Sequence, residues 1–192
     1  MREHIFVCDF DETLLSKLNN KRVVVRTSAF EEIHRIHEIV HGFFGNLHCL
    51  VLDHKGSLAS VPFHESWKGL QLALYCSDMG PFKEIMSKLP LIRSLNIRIF
   101  LNSDDKENFT SIHILASLGV DCGIFFGEKE IDWEAMNDLM TYAIYGKVNH
   151  GYVEPFQYLA SCYKPTELTN FGSVYFDNPA QYLYIDIEEN IA

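Results

Sequence analysis

The chain has 192 residues, of which 47% are hydrophobic and 22% charged, with a formal net charge of −10 at pH 7. That apolar share is enough for one core of domain size, while the acidity repels nucleic-acid backbones and anionic membrane surfaces. No apolar run approaches the ~20 residues of a membrane-spanning helix, so neither nucleic acid nor membrane is expected as a partner and the chain reads as cytoplasmic.

The opening "HIFVCDFDETLLSK" sets an apolar strand against Asp9, Asp11 and Thr13. The turn-rich "KLNNKR" follows, and "KRVVVRT" predicts a second strand, close enough to pair with the first as an antiparallel hairpin. Apolar spacing at Phe30, Ile33, Ile36 and Val40 predicts a helix over 29–41. The same helix carries His34, His37 and His41, with His48 soon after. His37 and His41 have zinc-chelating spacing, but the bland reading is a partly buried face with titratable histidines.

"LHCLVLD" predicts the next strand. The loop 53–68 is the one joint in the chain, so a single α/β domain over 1–192 is expected, divisible into a unit over 1–55 and a βα array over 66–192. Strands then follow at "LQLALYCSD", "IRIFLNSDD" and "CGIFFGEKE", with weaker ones at "GYVEPF", "GSVYF" and "YLYIDI". Helical patterns separate them over 81–89, 108–118 and 132–145, the last two stopped by Gly119 and Gly146. Continuous apolar strands alternating with helices predict a mainly parallel sheet of βα units, either an open Rossmann-like sheet or a partial β/α barrel. A small antiparallel addition is expected at the C-terminal end. Five cysteines, without a C-x-x-C pair and mostly in apolar runs, read as reduced and buried.

The strand ends are polar: Ser77-Asp78, Asn102 to Asp105, Gly127-Glu128 and Glu154. Carboxyl ends of parallel strands line the ligand crevice, and oxygen ligands of this kind suit Mg²⁺. The competing reading is that Ser, Asp and Asn at these places cap the following helices. Glu154, ahead of Pro155, is a further site candidate with the same alternative.

An apolar strand followed by Asp9-x-Asp11-x-Thr13 resembles motif I of the haloacid dehalogenase-like superfamily. The resemblance implies a Mg²⁺-dependent phosphohydrolase acting on a small phosphorylated substrate. Asp9 would be the nucleophile, Asp11 the general acid/base, and Ser77 the hydroxyl that ends the second-motif strand. It implies metal ligation by Asp9, Asp11, Glu128 and Asp132, with Glu128 standing where the family has Asp. Lys83, Lys88 and Lys106 are the lysines available to neutralise a phosphoryl group. The chemistry needs a cation or shared proton, because carboxylates about 4 Å apart repel by roughly 4 kcal/mol at an effective dielectric near 20.

The later part, from "IRIFLNSDD" to "HGYVEPF", resembles the βα units of partial barrels in radical-SAM peptide-maturation proteins, without the cluster cysteines. That resemblance implies a non-catalytic scaffold or accessory that binds a peptide or protein partner. The tyrosines of the C-terminal third would suit such a surface. A third reading is a structural subunit, a fragment of a larger assembly or a homo-oligomer. The first reading requires the Asp9 strand to lie between those of Ser77 and Gly127.

Overall fold

The computed structural model describes residues 4–18, 20–40, 47–166 and 171–185. Eight of the nine predicted strand runs become strands: β1 (Ile5–Asp9), β2 (Val23–Thr27), β3 (Leu47–Asp53), β4 (Leu72–Cys76), β5 (Ile97–Asn102), β6 (Cys122–Phe125), β7 (Val153–Glu154) and β8 (Tyr182–Tyr184). Between them lie α1 (Glu12–Lys17), α2 (Phe30–Ile39), α3 (Phe82–Ser94), α4 (Glu107–Ser117), α5 (Trp133–Tyr145), α6 (Phe156–Cys162) and α7 (Gly172–Tyr175). His41 of the expected second helix lies outside the described residues.

All eight strands form one sheet in the order β7-β6-β5-β4-β3-β2-β1-β8, and every pairing is parallel. The antiparallel addition expected near the C-terminus is therefore replaced by parallel pairing of β7 with β6 and of β8 with β1. The hairpin expected between the first two strands is also absent. Asp11 instead accepts a hydrogen bond from the Leu14 amide at 2.7 Å and starts α1, whose Leu14 and Leu15 are buried. A cap plus an apolar contact outweighs the local turn signal and converts the link into a parallel crossover.

Sequential strand order with right-handed crossovers places successive helices on one face. That face is aliphatic. Val23, Val25, Leu50, Leu52, Leu72, Leu74, Ile99 and Leu101 pack there against Ile33, Ile36, Ile85, Ile92, Ile112 and Leu115 of the helices. The alternate residues of the same strands make a separate inner cluster, including Ile5, Val7, Val24, Cys49, Val51, Ala73, Phe100 and Tyr182. Period-two alternation thus sorts each strand between two cores.

One cavity on the inner face is lined from β1, β2, β3, β4, β6 and β8 together, so the sheet curls on itself as a partial barrel. Among the described residues no ladder joins β7 to β8. The run 172–176, expected as a strand, is instead α7 followed by Phe176 in the left-handed region (φ 62°). It sends Val174 and Phe176 into the inner cluster, and the Tyr175 hydroxyl donates to the Ile124 carbonyl at 2.6 Å. This segment fills the inside where the sheet is open. Four cysteines are buried and free, and Cys162 is free and exposed.

Candidate functional site

Strand polarity brings the carboxyl ends of β1, β2 and β3 to one rim. The register pairs Asp9 with Arg26 and Arg26 with Val51, so the inward-facing residues there are Asp9, Arg26 and Asp53. Arg26 donates from Nη2 to Asp53 Oδ2 at 2.6 Å, with both side chains part-exposed. Burial alone would lower the Arg26 value, but this hydrogen bond and the charges of Asp53, Tyr184 and Asp9 outweigh it and hold the guanidinium firmly protonated.

Beneath the rim lies a cavity of about 330 Å³ lined by Val7, Val24, Tyr75, Phe125, Tyr175 and Asp177, with the Arg26–Asp53 pair at its wall. Tyr75 stacks on Phe100 at 4.9 Å and meets Phe125 edge-on at 5.2 Å. Tyr175 reaches Phe100 and Phe126 from the opposite side. Burial pushes the Tyr75 and Tyr175 phenols well above their ordinary value, so both stay protonated. A second, larger cavity of about 460 Å³ lies on the outer surface between α4 and α5, lined by Lys106, His113, Glu134 and Asp138. The inner cavity is the better site, because curvature surrounds an occupant with aromatic walls and a few polar groups.

The residues singled out from sequence fall elsewhere in the main. Asp9 stands exposed at the rim beside Arg26. Asp11 is the cap of α1. Ser77 donates to Asp78 Oδ2 at 2.7 Å, while its carbonyl accepts from the Asn108 amide. Asp132 caps α5 through the Ala135 amide and pairs with Lys106 at 2.8 Å; the cap first, and then Lys106, lower its carboxyl value.

Glu128 contributes its backbone rather than its carboxylate. The amides of Glu128 and Lys129 donate to the Asp104 carboxylate, and that of Gly127 to Ser103 Oγ. A Cβ at Gly127 would stand 2.1 Å from Asp104 Oδ1, so glycine is what lets the loop close on the carboxylate. The motif-like Gly127-Glu128 is therefore a loop folded around Asp104.

The Mg²⁺ ligand set Asp9, Asp11, Glu128 and Asp132 does not fit one ion. Two of its members cap different helices, and among the described residues no three His, Cys, Asp or Glu are grouped to hold a metal. Nor is β1 placed as the phosphohydrolase resemblance requires. It lies between β2 and β8, with the strands before Ser77 and Gly127 three and five places away. Lys88 donates to the carbonyls of Ala59 and Val61, and Lys106 is taken by Asp132. Glu154 accepts from the Tyr158 amide at the start of α6, and burial raises its carboxyl value. His34 pairs with Glu38 on the exposed side of α2, away from buried Ile33 and Ile36.

Tyr175 is among the C-terminal tyrosines read as suited to a partner surface, whereas Arg26, Asp53, Tyr75 and Asp177 were not selected from the sequence. A usable signal exists for two of them. Arg26 in "KRVVVRT" and Asp53 in "LHCLVLD" are charges at the carboxyl ends of apolar strands, on the inner parity. Tyr175 and Asp177 reach the site only through the tertiary placement of α7, which no local pattern encodes.

No family model, curated protein or solved structure matches this chain. Among the described residues no helix is long and apolar enough to cross a membrane.

Proposed function

We propose that the chain is a non-catalytic partial β/α barrel that binds a segment of a peptide or protein partner in its inner cavity. The observation that carries this reading is the cavity itself, walled by Tyr75, Phe125 and Tyr175 and rimmed by the Arg26–Asp53 pair. Aromatic rings supply broad contact area at small entropic cost, and the ion pair fixes orientation. Asp11, Ser77 and Asp132 are occupied in capping and loop contacts, which leaves Asp9 without the partners that nucleophilic phosphoryl chemistry needs.

The test is an immobilised array of short peptides probed with the purified chain and with a Phe126→Ala/Tyr184→Ala variant. Both residues line the cavity and are part-exposed, so the variant should fold. Peptides that bind the wild type and lose the variant support the reading; equal binding by both overturns it. Phosphohydrolase function is the competing reading. It requires beryllium fluoride with Mg²⁺ to raise the melting temperature, and Asp9→Asn to abolish that rise. That outcome would replace the proposal.

A further inference from the structure

Building on the binding role proposed above, we infer that the cavity takes a cationic side chain of its partner, an alkylammonium or guanidinium group held between aromatic walls and the Asp177 carboxylate. Three observations lead there. First, the charges around the cavity do not balance. Arg26 is already matched by Asp53, yet Asp177 also lines the cavity and Asp9 stands beside Arg26. The Asp177 side chain is exposed and makes no hydrogen bond or ion pair with any described residue. Among the residues at the mouth and rim the surplus is negative, and the net charge of −10 reinforces it at long range. Arg98, without an ion-pair partner among the described residues, is set apart at the amino end over the Phe176 ring.

Second, the walls offer ring surface on several sides. Tyr75 and Phe125 come from the sheet, Tyr175 from α7, and Phe126 from the strand end, the last 40% exposed at the entrance. Aromatic faces attract a desolvated cation and do nothing comparable for a carboxylate. Third, the Tyr75 hydroxyl has no hydrogen-bond partner among the described residues. No fully buried side-chain polar atom is left unpaired, so that hydroxyl opens to the cavity. An N–H donor from an occupant would find it as an acceptor deep in the site.

The shape of the lining sets the geometry of recognition. The aliphatic stem of a lysine or arginine would lie along Val7, Val24 and Val51, with its charged end among the rings and Asp177. An anionic group would face Asp177 and Asp9, with Arg26 already engaged by Asp53.

The experiment uses four capped tripeptides, Gly-X-Gly with X as Lys, Arg, Glu or Leu, titrated into the isotope-labelled full chain and followed by amide NMR. Saturable shifts at Asp53, Tyr75, Phe125 and Asp177 with the Lys or Arg peptide, and not with Glu or Leu, are expected. Asp177→Asn should weaken that binding about five-fold, the size of a part-exposed ion pair, and Phe126→Ala should weaken it similarly. Added salt should weaken it further. If the Leu or Glu peptide shifts the same residues equally well, the cation assignment falls while the binding reading stands. If none of the four shifts these residues, and the peptide array also finds no cavity-dependent binder, both fall together.

Discussion

At the carboxyl end of the inner face, Arg26 is matched by Asp53 at 2.6 Å. At the amino end, Arg22 meets the His48 ring at 2.6 Å, and Arg98 lies over the Phe176 ring with Cys49 Sγ at 4.0 Å. Among the described residues neither of those arginines has a carboxylate within ion-pair distance. The same sheet thus handles cations in two ways. Where the rim opens to water, the Asp53 carboxylate offsets the partial burial of the Arg26 guanidinium, and polar groups are left facing an occupant. Where the inner face is filled by Phe176 and Tyr182, ring faces and a neutral imidazole accommodate the guanidinium groups instead. The first arrangement presents an entrance; the second closes a floor.

Phe100 lies between the two ends, fully buried and touching Tyr75 above and Tyr175 beside it. Phe100→Ala should remove about 3–5 kcal/mol of stability, the usual range for emptying a buried aromatic site, read as a lower urea midpoint. It should also enlarge the cavity, so any bound peptide probe should lose affinity. Retained affinity at reduced stability would show that the mouth does not depend on the central ring.

The division between these ends was only partly legible in the sequence. The eight strands, and the parallel βα order of the central ones, follow from continuous apolar runs such as "LHCLVLD" and from helix stops such as Gly119, because those signals are local. The parallel pairing of β1 with β2 and of the C-terminal strands was not legible. Curling of the sheet was not legible as a choice over an open sheet. It depends on β8 returning beside β1 and on α7 entering the interior, both contacts across the whole chain length. Motif-like residues misled for a related reason. Asp11 and Asp132 sit where a catalytic carboxylate could, but a helix cap uses the same residue type at the same spacing. Side-chain hydrogen bonds alone tell the two apart.

The carboxyl end should be the more sensitive of the two to loss of one polar side chain. Buried Asn108 of α4 donates to the Ser77 carbonyl at 2.7 Å and the Asn102 carbonyl at 2.8 Å, tying the ends of β4 and β5 together. Asn108→Ala leaves both carbonyls without that donor and should cost about 2–4 kcal/mol. Hydrogen exchange should speed up first in the loops after those two strands. Uniform acceleration through the sheet would place the effect in global packing instead.

A pair of double-mutant cycles measures the contrast itself. Arg26→Met with Asp53→Asn should give a coupling of about 0.5–1 kcal/mol, because the pair is part-exposed, and added salt should shrink it. Arg22→Met with His48→Gln should give a coupling that salt leaves almost unchanged, since His48 is the neutral partner. Equal salt sensitivity at both ends would break the comparison.

The smallest effect expected is a pH dependence confined to the floor. Burial first, then the charges of Arg22 and Arg98, lower the His48 imidazole below its ordinary value of 6.5. Tyr182 and Phe176 are the rings that face it. With the folded value depressed, the unfolded chain takes up the proton first as the pH falls. The contribution is therefore fully present above about pH 6.5, declines as the pH drops through that value, and levels off below the depressed folded one. Ordinary carboxylates titrate lower and leave this window largely to histidines. The melting temperature should thus fall between about pH 7.5 and pH 5.5. His48→Gln, which keeps an acceptor for Arg22, should flatten that slope. A wild type that gains stability on acidification would mean that the imidazole is protonated in the fold, and Arg22 would then need an anion where none is described; an unchanged slope in the variant would place the pH dependence in another histidine.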